Sequence, residues 1–231
     1  MTSLYSAAAS FLLLHLLVSG TRIRDVLTGI IGARAYLGLF SLASVATLVW
    51  LAISYAAAKS DPANALYWSA TPLTKIIQLV IQLVAMLLIV PGLTTRNPTS
   101  VGQESTLESP DLVRGMLRIT RHPFLWGVTL WACGHLLVNG DRASVVLFGV
   151  LMALAMFGTA SIDAKRKRAL GARWAAFAAR TSNLPFAAIG TGRQTLRINE
   201  IGLWRIALSV AVWAGAILAH PYAFGVSALN G

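Results

Sequence analysis

Apolar residues along the chain fall into six long runs that are separated by polar segments. Each run reaches or approaches the roughly 20 residues that a helix needs to cross a bilayer. The first and fourth runs are the shorter ones, which would allow them to be buried among the others. The pattern predicts an all-α, polytopic membrane protein with about six transmembrane helices, near residues 4–20, 37–58, 72–93, 122–139, 143–162 and 202–220.

The composition agrees with a membrane protein that forms one transmembrane domain over residues 1–231. The chain is 56% hydrophobic and 12% charged, whereas roughly a quarter of the residues in a soluble domain are charged. Apolar runs separate the basic residues, so lipid headgroups and topology explain the net charge of +11 better than nucleic acid does. Cys133 is the single cysteine, which excludes an intrachain disulfide.

The basic residues predict the orientation of the chain in its membrane. With six spans, the first, third and fifth loops hold three, four and nine basic residues, which is 16 of the 19. No Lys or Arg precedes the first run, and Arg22 and Arg24 follow it, which is the reverse of a signal peptide. The positive-inside rule therefore predicts that both termini lie in the periplasm.

The basic cytoplasmic loop over residues 163–200 contains a second helical pattern. Leu170, Trp174 and Phe177 are spaced by four and three residues, with Arg173 and Arg180 along the edge of the stripe. This spacing is typical of an amphipathic helix that lies in the membrane interface, with its arginines reaching phosphates. The alternative is a charge cluster that only stops translocation and has no ligand.

The fourth apolar run and its polar edge contain the main candidates for a functional site. It opens with Arg121 and His122 at its polar edge, followed by Pro123, which suits the first turn of a helix. His135 lies within the run, and His15 lies within the first run. An ionisable side chain at such depth indicates a functional site. Two buried imidazoles on different helices could hold a haem between helices, or each could form a hydrogen bond across a helix interface.

The depths of these histidines leave the choice of ligand pair open. At about 1.5 Å per residue, His15 lies in the inner half of its helix and His135 near the outer end of its own. His122 lies at the inner surface. Either His135 or His122 therefore remains a partner for His15.

The third span places polar side chains on one face. Lys75, Gln78 and Gln82 are spaced by three and four residues. Hydrogen bonding between helices is one explanation, and a polar pocket for the acidic groups of a ligand is the other.

A resemblance to a known family rests on the fourth run and its surroundings. The matching segments are Arg121-His122-Pro123, Trp126-Gly127, Trp131, His135-Leu136 and Asn139-Gly140-Asp141, with the first span around His15 and the segment 35–42. These closely resemble the NnrU family of bacterial membrane proteins, which is named for a link to nitrite and nitric oxide reduction. The resemblance covers most of residues 8–165, and the last helix, 202–220, lies beyond it.

The NnrU family is similar to plant zeta-carotene isomerase, a membrane enzyme that carries haem b. That resemblance implies haem b as cofactor, with His15 and His135 as the axial metal ligands. It implies a further site histidine at His122, and Arg121 would bind a propionate or the polar end of a substrate. The expected activity is isomerisation of an apolar, polyene-like substrate, with the iron as Lewis acid or one-electron agent.

Two other functions remain open at this point. One is a non-catalytic accessory or sensor protein for nitrite and nitric oxide respiration. The other is a methyltransferase-like enzyme, because isoprenylcysteine and phospholipid methyltransferases share an Arg-His-Pro-x-x-x-Gly helix start. Gly171 to Pro185 follows their later layout, but Ile162-Asp163-Ala164-Lys165 stands where those enzymes carry a Glu-Glu pair.

Overall fold

A computed structural model describes residues 1–229, and this part of the chain is mostly helical. Its α-helices are α1 (Thr2–Leu13), α2 (Ile23–Ile31), α3 (Ala33–Ala58), α4 (Pro72–Thr94), α5 (Met116–Ile119), α6 (Pro123–Val138), α7 (Arg142–Leu170), α8 (Ala172–Arg180), α9 (Ala187–Gly190) and α10 (Leu203–Phe224). A π-helical turn, Leu14–Val18, extends α1, and 3₁₀ turns cover Glu104–Glu108 and Ile198–Glu200. Two short antiparallel strands are β1 (Leu66–Trp68) and β2 (Gly140–Asp141).

All six predicted runs are helical, and the membrane character of the fold is confirmed. Four helices in the described residues, α3, α4, α7 and α10, are long and apolar enough to cross a membrane. The first run forms α1 and its π turn, Thr2–Val18, and the chain then bends by 78° into α2. The fourth run, α6, has 16 residues and falls short of a full span. The count of six spans therefore stays a prediction.

Local sequence explains where the long helices begin. Thr71 caps α4 by accepting a hydrogen bond from the Thr74 backbone N–H, and Pro72 occupies the first turn. Asp141 caps α7 in the same way through the Ser144 backbone N–H. Pro123 opens α6, as its fixed backbone angle and missing N–H favour.

Glycines allow α6 to lie directly against α4. A Cβ atom added at Gly127 would lie 2.6 Å from Ile89 Cγ1, and one added at Gly134 would lie 2.6 Å from Gln82 Nε2. Small residues at such contacts let two helix backbones approach closely within a membrane. At this contact Gln82 Nε2 donates a hydrogen bond to the Trp131 carbonyl at 3.0 Å. Hydrogen bonding between helices is therefore confirmed for Gln82.

The helices α1, α3 and α7 pack around a second apolar cluster. Leu4, Ala7 and Phe11 of α1 pack there with Leu51 of α3 and Ala143 of α7. Thus α7 lies between the α1–α3 pair on one side and the α4–α6 pair on the other.

Charged side chains in the connections between helices lie at the two ends of the helix bundle. At one end, Arg205 donates to the Thr94 carbonyl and Arg166 donates to the Ser100 carbonyl. This end, called the basic end below, holds the loops that were predicted to carry most of the basic residues. At the other end, Lys59 Nζ lies 2.7 Å from Asp141 Oδ2.

The segment with the predicted amphipathic pattern includes the helix α8, and the apolar stripe of this helix faces protein. Trp174 and Phe177 of α8 are 3% and 4% exposed and pack against Val113 and Leu117. The position of α8 in the membrane interface therefore stays a prediction. The segment before α6 supplies apolar side chains that the periodicity of α8 alone does not reveal.

Candidate functional site

Two residues before α6 converge on one carboxylate of α7. Arg121 Nε lies 2.9 Å from Asp163 Oδ1 and 3.0 Å from Oδ2. His122 Nε2 lies 2.7 Å from Asp163 Oδ1, and Asn183 Nδ2 donates to Asp163 Oδ2 at 3.2 Å. These four residues are called the Asp163 cluster below. Charge-assisted hydrogen bonds of this kind fix a carboxylate in one orientation.

Backbone hydrogen bonds hold the segments that supply the cluster. The Arg121 backbone N–H donates to the Ser182 carbonyl at 2.9 Å. The Asn183 carbonyl accepts from Trp126 Nε1 at 2.8 Å and from Thr120 Oγ1 at 2.5 Å. The residues around Asn183 are therefore fixed against the start of α6, and the cluster is preorganised.

Burial sets the protonation of His122. This side chain is 2% exposed. Burial lowers the pKa of His122 below its ordinary value, although the hydrogen bond to Asp163 acts in the opposite direction. His122 is therefore neutral at pH 7, and its Nε2–H donates to the Asp163 carboxylate.

A cavity of about 340 Å³ opens beside the cluster at the basic end. Arg121, Asp163, Lys167 and Trp174 line it, together with small apolar side chains of α7 and α8. The Arg121 guanidinium carbon lies 6.0 Å from the centre of the Trp174 ring. Cations, an aromatic face and alanine methyl groups suit an apolar molecule that carries one polar or anionic end.

His15 lies in the π-helical turn, away from the Asp163 cluster. Its Nδ1 lies 2.8 Å from the Phe11 carbonyl oxygen. The rings of Phe11 and Phe40 lie with their centres 4.5 Å and 5.3 Å from the His15 ring. A backbone carbonyl that fixes one ring nitrogen leaves the other, Nε2, available as a metal ligand.

His135 is held by aromatic rings on the other side of α7. Its ring stacks on Phe148 with centres 4.6 Å apart and planes 6° apart. The Trp131 ring centre lies 4.7 Å away. This packing is compatible with a histidine that serves the helix interface.

The structure does not bring His15 and His135 together. His135 stacks on Phe148, whereas Lys165 Nζ donates to the carbonyl of Ser19, one turn beyond His15. Phe148 and Lys165 are 17 residues apart on α7, or about 25 Å. His135 therefore lies beside the first turns of α7, whereas the turn that follows His15 lies beside Lys165.

Two ligands of one metal ion must lie close together, because metal–nitrogen bonds are about 2 Å long. His15 and His135 have no ring contact with each other among the described residues, and their pairing as ligands of one haem stays a prediction. His122 is engaged by Asp163 through Nε2. Within residues 1–229, no three or more His, Cys, Asp or Glu side chains are grouped so that they could hold a metal ion.

Asp163 is the site residue that sequence reasoning missed. In the sequence, Asp163 stands where the methyltransferases carry a Glu-Glu pair, and that comparison emphasises the missing pair over the carboxylate that remains. A signal was available, since Asp163 is an acid at the polar end of an apolar run, two residues before the basic run Lys165 to Arg168. Arg121 and His122 were correctly placed at the polar mouth of α6.

Comparison with known proteins covers nearly the whole chain. A family model described as "NnrU protein" matches residues 3–228. The chain is also similar to the 15-cis-zeta-carotene isomerase of Arabidopsis thaliana chloroplasts, with 34% identity over 117 residues. The corresponding enzyme of Zea mays shows 32% identity over 116 residues.

The matches to the plant enzymes cover only part of this chain and only part of each plant protein. They cover 49% and 46% of this chain, and 32% and 30% of the Arabidopsis and maize proteins. The chain thus matches about a third of the length of each relative. No solved structure matches the chain.

Proposed function

The chain belongs to the NnrU family, and on that premise we propose that it is a membrane isomerase that acts on an apolar small molecule. The plant relatives are named for an isomerisation of a carotene, which is an apolar polyene. Double-bond isomerisation leaves the composition of the substrate unchanged. The protein must therefore bind, orient and shield its substrate, without a second substrate.

The observation that carries the proposal is the cavity beside the Asp163 cluster. Arg121 and Asp163 contribute to the cluster and also line the cavity. Lys167 and Trp174 complete a wall that offers positive charge and an aromatic face. An apolar molecule that enters from the bilayer at the basic end would place one end against this wall.

The cluster divides into residues that meet the substrate and residues behind them. His122 is buried and does not line the cavity, so it is a positioning residue that fixes Asp163. Asn183 supports the same carboxylate from the loop after α8. The alanines of α7 and α8 would contact the apolar body of the substrate, and Arg121 and Lys167 would face the π electrons at the end of the polyene.

The test uses 15-cis-zeta-carotene as the probe, supplied by cells that accumulate it. Wild-type protein is expected to change the ratio of its isomers, as measured by chromatography of cell extracts. Arg121→Gln is expected to lower the rate roughly a hundredfold, because a small misplacement of substrate has that effect. Arg173→Gln is the matched control, because Arg173 is exposed and lies outside the cavity.

Two results would count against the proposal. Folded wild-type protein that leaves the isomer ratio unchanged contradicts an isomerase acting on this substrate class. Equal rates for Arg121→Gln and Arg173→Gln contradict the cavity as the site. The level of folded protein in the membrane is measured for each variant, so that loss of activity is distinguished from loss of protein.

Haem b, the inner-membrane location and the periplasmic termini remain part of the proposal as predictions. The family resemblance supports haem b, with His15 and His135 as ligands. The concentration of basic residues at one end supports the orientation. The accessory or sensor function and the methyltransferase-like function stay as alternatives, which substrate turnover and methyl-donor binding would separate from the isomerase.

A further inference from the structure

A second cluster of charge lies at the basic end, between α2 and the last turns of α7. Four cations and one acid line a cavity of about 240 Å³: Arg22, Arg24, Lys165, Arg168 and Asp25. Asp25 approaches Arg24 only at 3.7 Å, and both side chains are exposed. The acid therefore offsets no more than one of the four positive charges, and the cavity favours an anion.

The break between α1 and α2 creates this cavity. Lys165 Nζ donates to the Ser19 carbonyl at 3.2 Å, which fixes the end of the π turn against α7. The chain then bends by 78° into α2. This bend brings Arg22 and Arg24 to the side of α7 that carries Lys165 and Arg168. The cations come from two separate parts of the chain, and the fold brings them together around one cavity.

The opposite side of α2 is apolar and uncovered. Ile23, Val26 and Ile30 follow helical spacing and are 47%, 61% and 74% exposed. In α8 the equivalent stripe is covered by protein, whereas none of the α2 residues is buried. A short helix with cations on one side and free branched side chains on the other is typical of a helix in the membrane interface.

We propose that α2 lies in the membrane interface and that the cavity between α2 and α7 binds the phosphate headgroup of an anionic phospholipid. The apolar side of α2 would contact the acyl chains, and the four cations would surround the phosphate. Together, α2 and α7 thus supply cations for the headgroup and an apolar surface for the acyl chains. A free phosphate ion would use the cations but not the apolar side. This inference does not depend on the isomerase proposal.

The experiment compares lipid adducts on the full chain by native mass spectrometry from detergent. Phosphatidylglycerol is the probe, with phosphatidylcholine and inorganic phosphate at equal concentration as the comparison ligands. Wild-type protein is expected to retain one phosphatidylglycerol and little of either comparison ligand. The Arg22→Gln/Arg168→Gln variant is expected to weaken this binding roughly thirtyfold, given the usual effect of two basic residues near anionic lipid.

The matched control is Arg173→Gln/Arg180→Gln, which removes two exposed arginines from the same end, outside the cavity. Equal loss of phosphatidylglycerol in both double variants would overturn the site, because the attraction would then come from general charge. Binding of inorganic phosphate as tight as that of phosphatidylglycerol would overturn the lipid as occupant.

A second measurement keeps the proposal testable if the first variant fails to fold. In a Cys133→Ser background, Ile30→Cys is labelled with a nitroxide in liposomes. Oxygen is expected to reach the label more readily than a water-soluble nickel complex does. The reverse order would place α2 in water and overturn the interfacial helix. The substitution is tolerable because Ile30 is 74% exposed.

Discussion

His122 Nε2 lies 2.7 Å from Asp163 Oδ1, although 41 residues separate the two in the chain. This contact joins the start of α6 to the basic end of α7. Arg121 binds the same carboxylate, so adjacent residues hold Asp163 with two different groups. The motif that opens α6 is therefore completed by an acid on another helix.

Asp163→Asn is expected to destabilise the protein, because Arg121 and His122 lose the charged acceptor that they share. Hydrogen bonds to charged groups contribute about 1.5–3 kcal/mol each when buried. The variant should therefore lose about 2 kcal/mol, which corresponds to a fall in melting temperature of roughly 4–8 °C for a chain of this size. Thermal unfolding in detergent measures this fall in melting temperature. A melting temperature equal to wild type would show that the cluster does not stabilise the fold.

The expected pH dependence of stability includes a contribution from Glu200. Its hydrogen bonds with Arg118 lower the pKa of Glu200 from 4.5 to about 2. The folded protein thus holds the ionised form more strongly than the unfolded chain does. The resulting stabilisation is complete above the unfolded pKa and is lost as the pH falls from about 4.5 towards 2.

Glu200→Gln should remove this part of the acid sensitivity. Melting temperatures of wild type and variant are compared between pH 7 and pH 3. The difference between them should be largest at pH 7 and shrink as the pH falls. A difference that stays constant over this range would mean that Glu200 has an ordinary pKa in the folded protein.

Gly127→Ala is expected to disrupt the contact between α4 and α6. The new Cβ would lie 2.6 Å from Ile89 Cγ1 and 2.9 Å from the Ala85 carbonyl oxygen. Overpacking of this kind destabilises by about 1–3 kcal/mol. Gly149→Ala in α7 is the matched control, because nothing lies within 4 Å of the added methyl group. The control should be neutral or slightly stabilising. Similar melting temperatures for the two variants would contradict the close contact.

The haem prediction has a spectroscopic test that needs no substrate. Detergent-purified protein is measured oxidised and dithionite-reduced, with a pyridine haemochrome assay for stoichiometry. If His15 and His135 are axial ligands, wild type should show one low-spin haem per chain and His135→Ala should lose that spectrum. Haem retained by His135→Ala at full stoichiometry with an unchanged spectrum would exclude this ligand. Colourless wild-type protein from haem-replete cells would count against haem altogether.

The helices could be predicted from sequence because each apolar run is long and bounded by polar or cap residues such as Thr71 and Asp141. The bend after Val18 could not be predicted, since hydropathy reports the length of a helix and not its direction. Val113 and Leu117 cover Trp174. This contact could not be predicted, because the segment that supplies them has no periodic spacing of apolar residues.

Only the part of the site that is local in sequence could be predicted. Arg121 and His122 lie beside Pro123, so a local motif places them at the mouth of a helix. Their partner Asp163 is distant in sequence, and only the packing of α6 on α7 brings it near. Likewise, the depth of His15 relative to His135 depends on how α1 packs along α7.

The strand pair opposite the basic end has a mechanical consequence. At that end β1 pairs with β2, Trp68 Nε1 donates to the Leu136 carbonyl, and Lys59 binds Asp141. A Cβ atom at Gly140 would lie 2.1 Å from the Trp68 carbonyl oxygen, so the backbones there are in tight contact. The α1–α3 pair and the α4–α6 pair are thus fastened together at one end. This fastening lies at the opposite end of α7 from the cavity beside Asp163, so the strand pair holds the helices together without occupying the cavity.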